Sequence, residues 1–250
     1  MTLEQAIELA NSGDHNAILK LASYYYNGGE DHERDCDEAY KWYVHGAKLG
    51  YADCMHLASL LGDMLAHASR KITGSAGIEV VIEQLNEALY WAKQAVQNGV
   101  IDAKETINEI NGELGVAYFL KGQRDESPDD LSFAIKLLKP IYKNSSDKEL
   151  TIYLALALHR LGDIVGYTDE NNVLEHKLLT ICAEKYFGEV IHSDIAAMYL
   201  GVMYTEGRGC SVDYDKAVYY LQKAHNSGFD CSDMLSLFRK KLFGGYTLKD

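Results

Sequence analysis

The feature that most constrains this chain is the stretch from Ala196 to Gly228. Its first half reads Ala-Met-Tyr-Leu-Gly-Val-Met-Tyr-Thr-Glu-Gly-Arg-Gly from Ala197 to Gly209. Leu200, Gly201 and Tyr204 fall on one stripe of a helix. In the second half, Ala217, Tyr220, Ala224 and Gly228 recur at spacings of 3, 4 and 4, the stripe of a second helix. Gly207 and Gly209 permit a sharp turn between the two. The stretch predicts a helical hairpin with small residues where its helices approach closely.

The second-helix spacing recurs at Ala39, Trp42, Gly46 and Gly50, and at Ala88, Trp91, Ala95 and Gly99. In all three copies the last glycine lies eleven residues after the first alanine. The first-helix signature recurs at Ala17, Leu21, Ala22, Tyr25 and Gly28, again at Leu114, Gly115 and Tyr118, and more weakly at Leu57, Ala58 and Leu61. Leu21 and Leu57 are 36 residues apart, a normal solenoid period. The combined pattern resembles the Sel1-like repeat, a cousin of the tetratricopeptide repeat, most closely over residues 15–99 and 193–228. The resemblance implies an all-α fold, an α-solenoid (superhelix) of about five Sel1-like hairpins forming one domain over residues 1–250. Capping helices are expected at its ends, about 1–13 and 230–250.

Local signals fill in this frame. A helix is expected over 3–11 with Ala6, Leu9 and Ala10 as its apolar stripe. Asp14 can cap the next helix, and Gly28-Gly29 ends it. The helix of about 79–98 is longer than the repeat needs. Pro140 should kink or end the second helix of the third repeat. A last helix is expected from Ser232 or Asp233 to about Leu242, with Arg239, Lys240 and Lys241 suiting its C-terminal dipole.

A net charge of −13 opposes binding to nucleic acid or to anionic membrane surfaces, and is compatible with a basic partner. No apolar run approaches the ~18 residues a membrane span needs. The first residues lack the basic and apolar regions of a signal peptide. The five cysteines, Cys36, Cys54, Cys182, Cys210 and Cys231, show no CxxC and no regular pairing, in contrast to the disulfide that some secreted Sel1-like proteins carry in each repeat. Free thiols in a reducing cytoplasm are the expectation.

Sequence signals for chemistry are weak. Ser145 and Lys148 form an S-x-x-K, the spacing used by serine β-lactamases, and some Sel1-like proteins are described as penicillin-binding. No S-D-N or K-T-G accompanies it. Cys54 and His56, at i and i+2, do not converge on a helix, and His67 is three turns away, so no metal site is expected. Gly207 and Gly209 lack the strand and Gly-Lys-Ser/Thr of a phosphate loop. The acidic runs Glu30–Glu38 and Arg124–Asp130 precede helix starts, where carboxylates serve as caps. No catalytic residue and no cofactor is expected.

The resemblance places the first helices along a concave groove. The groove positions are then Lys20, Ser23 and Tyr26 in the first repeat, and His56 and Ser59 in the second. Glu113, Val116 and Phe119 belong to the third, His159 and Arg160 to the fourth, and Met198, Tyr199, Val202 and Glu206 to the fifth. A mixed aromatic and polar lining suits a peptide or protein loop. The implied function is a noncatalytic adaptor or scaffold. A narrower form is an immunity-type inhibitor that neutralises a basic toxin or enzyme. The enzyme alternative is a penicillin-binding hydrolase.

Overall fold

A computed structural model describes residues 2–29, 32–145, 147–241 and 244–249. The described chain forms two compact units, residues 1–121 and 122–250.

The first unit contains α1 (Leu3–Asn11), α2 (His15–Asn27), α3 (Cys36–Lys48), α4 (Ala52–Thr73), α5 (Ile78–Gln97) and most of α6 (Ala103–Asp125). Thr2 and Gln5 form a reciprocal capping box at the start of α1. Asp14 accepts a hydrogen bond from the Ala17 amide at 2.8 Å to cap α2. Asp35 caps α3 in the same way, through the Glu38 amide at 2.9 Å. The acidic connection before α3 thus supplies a cap; Glu30 and Asp31 lie outside the described residues. Neighbouring helices pack in sequence, α1 on α2, α2 on α3, α3 on α4 and α4 on α5. Ile18, Leu21, Ile78 and Leu85 are fully buried between them.

The second unit holds the end of α6, then α7 (Pro128–Leu138), α8 (Glu149–Val165), α9 (Asp169–Glu184), α10 (Ser193–Glu206), α11 (Tyr214–Asn226) and α12 (Ser232–Ser236). Here α7 packs on α8, α8 on α9, α9 on α10 and α10 on α11. The architecture is the all-α stack of helical hairpins that the periodicity predicts. α7 stops at Leu138, two residues short of Pro140, whose missing amide and bulky ring forbid a further turn.

The repeat stripe is the core. Leu21, Ala22, Ala39, Ala88, Trp91, Leu200, Ala217 and Ala224 are buried. Tyr204 and Tyr220 stack between α10 and α11, ring centroids 5.7 Å apart and almost parallel. Tyr25 and Trp42 are half-buried. The glycines of the stripe divide into two kinds. Gly201 marks a close approach, since a Cβ there would lie 2.7 Å from Leu221 Cγ. Gly50, Gly99 and Gly228 instead have open space around them and φ of 96°, 92° and 105°. They follow helix ends in a conformation that L side chains rarely adopt. Backbone geometry, and not helix contact, selects glycine at the end of each motif.

Two local expectations are corrected. Ala6 and Ala10 are buried on α1 but Leu9 is 45% exposed, so the stripe facing the unit is narrower than drawn. The C-terminal cap is not one long helix. α12 ends at Ser236, and the chain then forms an antiparallel pair, β1 (Phe238–Lys240) with β2 (Tyr246–Leu248), in the register Phe238 to Leu248. Phe238 is buried, 6.1 Å from the Tyr214 ring, and the Tyr246 amide donates to Asp215 at 2.7 Å. Long-range anchoring and the positive φ of Gly244 and Gly245 favour a hairpin over helix continuation. The expected helix end at Leu242 lies outside the described residues.

Candidate partner-binding surface

In the first unit, α2, α3 and α4 enclose an open cleft of about 210 Å³ lined by Tyr26, Tyr43, Leu57, Leu60, Leu61 and Met64. Leu57, Leu60 and Met64 stand at helical spacing along α4, and Leu60 and Met64 remain 40% and 37% exposed. Tyr26 closes the α2 side, with the Arg34 guanidinium 4.4 Å from its ring centroid. Arg34 also donates to Cys36 Sγ at 3.1 Å and reaches Met64 Sδ at 3.9 Å, so the cation leans over the apolar rim.

α4 also makes polar and ionic contacts with α6. His56 Nε2 lies 3.3 Å from Thr106 Oγ1 on α6. Glu113 receives Arg70 at 2.8 Å and His67 at 3.3 Å. Asp63 sits beside this group with Oδ1 buried and without a hydrogen-bond partner. Burial, reinforced by the negative charges of Glu113 and Glu109 and opposed by Arg70, pushes its carboxyl up to about 7. Because the folded pKa exceeds the unfolded one, the folded state holds the proton more tightly. Stability should therefore fall as pH rises from about 4 to about 7. Asp63→Asn should match the wild type near pH 4 and exceed it by roughly 1–3 kcal/mol at pH 8. Urea unfolding at the two pH values measures this, and parallel wild-type and variant profiles would refute it.

The second unit carries a buried ionic network. Glu175, fully buried on α9, accepts from His159 Nδ1 at 2.8 Å and from Arg208 at 3.1 and 3.3 Å. A carboxylate can only accept, so Nδ1 of His159 is the donor. The Arg208 guanidinium lies 4.0 Å from the Tyr167 ring centroid, and the Tyr199 ring is 3.8 Å from that of His159. Tyr167 donates to Asp163, and Asp163 lies 3.8 Å from both His159 Nε2 and Arg160 Nη1. Arg160 also pairs with Glu126 at 2.9 Å, and Glu206 accepts from Arg208 Nε at 3.3 Å.

The fourteen groove positions divide by burial. Ser59, Val116, Phe119, His159 and Met198 are buried and are not surface residues. Ser59 Oγ donates to the His56 carbonyl, and His159 belongs to the network above. The resemblance assigned these residues to a groove copy by copy, and it could not tell an exposed face from a face covered by a neighbour. Lys20 and Glu206 are exposed; Ser23, Tyr26, His56, Glu113, Arg160, Tyr199 and Val202 are partly exposed. His159, Arg160, Tyr199 and Glu206 meet in one cluster, whereas Lys20 and Ser23 join neither group. Sequence reading missed Leu60, Met64, Glu175 and Arg208. The continuation of the Leu57 stripe by three and seven residues could have revealed the first two. Arg208, between two turn glycines, carried no such signal.

The S-x-x-K does not assemble. Ser145 Oγ accepts from the Asp147 amide at 3.0 Å, while Lys148 Nζ pairs with Glu189 at 3.0 Å. Among the described residues, no helix is long and apolar enough to cross a membrane.

Comparison with known proteins supports the repeat reading. The family model for the Sel1 repeat matches residues 15–51, 73–100 and 194–229. Solved structures that match the chain include a protective antigen of uropathogenic Escherichia coli strains displaying an SLR fold. That match has 16% identity and a TM-score of 0.38, and covers 91% of this chain and 49% of the other. This chain therefore spans about half the length of that relative. Another is a Sel1 repeat protein from Oxalobacter formigenes, with 18% identity and a TM-score of 0.40, covering 94% and 88% of the two chains. No curated protein matches the chain.

Proposed function

This chain carries three Sel1 repeats, and on that premise we propose that it is a noncatalytic protein-interaction module, an adaptor that holds a peptide or protein loop on its first-helix faces. Repeat arrays of this kind serve protein–protein interaction rather than one chemistry. The observation that carries the proposal is the cleft of the first unit. Leu60 and Met64 stay exposed beside the half-buried Tyr26, in a recess with an aromatic wall and a cationic rim. An aromatic or aliphatic anchor from a partner would be desolvated there, the setting in which single residues contribute most to affinity.

Peptides selected against the full chain from a random display library provide the test. Tyr26→Ala should weaken a selected peptide by about 2 kcal/mol, and Leu60→Asp should abolish binding, with thermal melts little changed. Selected binders indifferent to both variants would put the interface elsewhere. The net charge of −13 supports a narrower second reading, an acidic inhibitor of a basic protein. In that case association with the basic protein should slow as salt rises, because exposed charges are screened over ~10 Å at 0.1 M. A hydrolase reading has no support in the geometry of Ser145 and Lys148 and is not proposed.

A further inference from the structure

We propose that His15, Asp53 and Cys54 form a binding site for a thiophilic divalent cation of the zinc(II) class. The sequence pairs Cys54 with His56, which does not converge. The fold instead brings in His15, from the first turn of α2, against the first turn of α4. One donor atom from each of the three residues lies within 4.8 Å of the others. His15 Nε2 is 2.9 and 2.8 Å from the two Asp53 oxygens, across 38 residues of sequence.

The donor set is one nitrogen, one oxygen and one sulfur. Around tetrahedral zinc, with bonds of about 2.0–2.3 Å, such donors stand roughly 3.3–3.6 Å apart. The His15–Asp53 pair opens by about half an ångström, and the thiol closes toward it. Three protein ligands leave the fourth position to water, the pattern of an open site.

Three features favour a site over an ordinary ion pair. First, the imidazole is held in place. It stacks on Tyr51 with centroids 4.1 Å apart, and the Tyr51 hydroxyl donates to the Gly13 carbonyl at 2.8 Å. Second, the sulfur occupies a recess that only glycine leaves free. A Cβ on Gly46 would lie 2.5 Å from Cys54 Sγ. Third, the fifth repeat carries Ala196-Ala197, both buried, where the second carries Asp53-Cys54, each pair placed four and three residues before the stripe leucine. The repeat needs only small residues here, so packing does not call for a carboxylate and a thiol. The His15 and Asp53 side chains are 37% and 47% exposed, which leaves a path from solvent.

Binding is a ligand exchange without redox change. The Cys54 thiol loses its proton to solvent and coordinates as thiolate. The His15 Nε2–H, which donates to Asp53 in the free protein, gives up that proton to solvent; the imidazole, with a proton on Nδ1, then coordinates through the Nε2 lone pair, and Asp53 coordinates as carboxylate. Because the ligand is the thiolate, uptake must release a proton and strengthen with pH.

The test is cobalt(II) titration of the full chain in a non-coordinating reductant. A thiolate-to-cobalt absorption band saturating at one ion per chain is expected, and it should disappear on addition of zinc(II). Cys54→Ala and His15→Ala should each lose the band and the rise in unfolding temperature that zinc(II) gives the wild type. The alanine at 54 is the residue the fifth repeat already uses, so that variant should fold, as its unchanged circular dichroism would verify. No band in the wild type, or a band that survives either substitution, overturns the assignment.

Discussion

Replacing Glu175 with alanine should be among the most damaging single changes in this protein, costing about 3–5 kcal/mol. The carboxylate is fully buried and is the common acceptor for His159 and Arg208. Its removal leaves the Arg208 guanidinium, itself nearly buried, with the exposed Glu206 as its remaining salt-bridge partner among the described residues. An uncompensated buried charge is costlier than the loss of the pair itself. The double variant Glu175→Leu with Arg208→Met should therefore recover a large part of the stability. Urea midpoints of the two single variants and the double variant test this. A double variant as unstable as the sum of the singles would show that the two side chains act independently.

The second large effect is expected at Gly201. A side chain there meets Leu221 at 2.7 and 3.0 Å and the Ala217 carbonyl oxygen at 3.1 Å. The carbonyl belongs to the backbone of α11 and cannot turn aside. Gly201→Leu should force α10 and α11 apart and cost roughly 1–3 kcal/mol or more. Gly201→Ala should cost less, because only a methyl group has to be accommodated. Leu200→Ala is the complementary variant. It empties a fully buried position one residue away and should cost roughly 2–5 kcal/mol through the cavity it leaves. Thermal melts read all three, and an unchanged melt for Gly201→Leu would contradict the close contact.

Gly50, Gly99 and Gly228 behave differently from Gly201 although the motif treats them alike. Substitution there meets no neighbour and acts only through the positive φ. Alanine at these sites should destabilise modestly, by backbone strain at the helix end. The repeat signature thus combines two separate physical demands, and the sequence spacing alone does not distinguish them.

Much of the fold was legible before any coordinates. The 3.6-residue period, the eleven-residue interval from alanine to glycine, the caps at Asp14 and the stop before Pro140 are local properties. Each depends on backbone conformation and on which face of one helix is apolar, and a sequence records both directly. The hairpins followed because two amphipathic helices joined by a glycine turn have one way to bury their stripes. The partner-facing surface was less legible. Tyr26 and Glu206 are on the surface, but Val116, Phe119 and Met198 are buried, and only tertiary packing decided between those outcomes. Likewise the β1–β2 ending depends on Tyr214 and Asp215, which are distant in sequence from Phe238 and Tyr246. The Glu175 network, the raised Asp63 carboxyl and the meeting of His15 with Cys54 join residues 16 to 50 positions apart or lie between separate helices. The sequence determined which helices form and which stripe each buries, because those are short-range questions. The fold decided which charges and donors share a buried site, because that depends on which neighbour covers each remaining face.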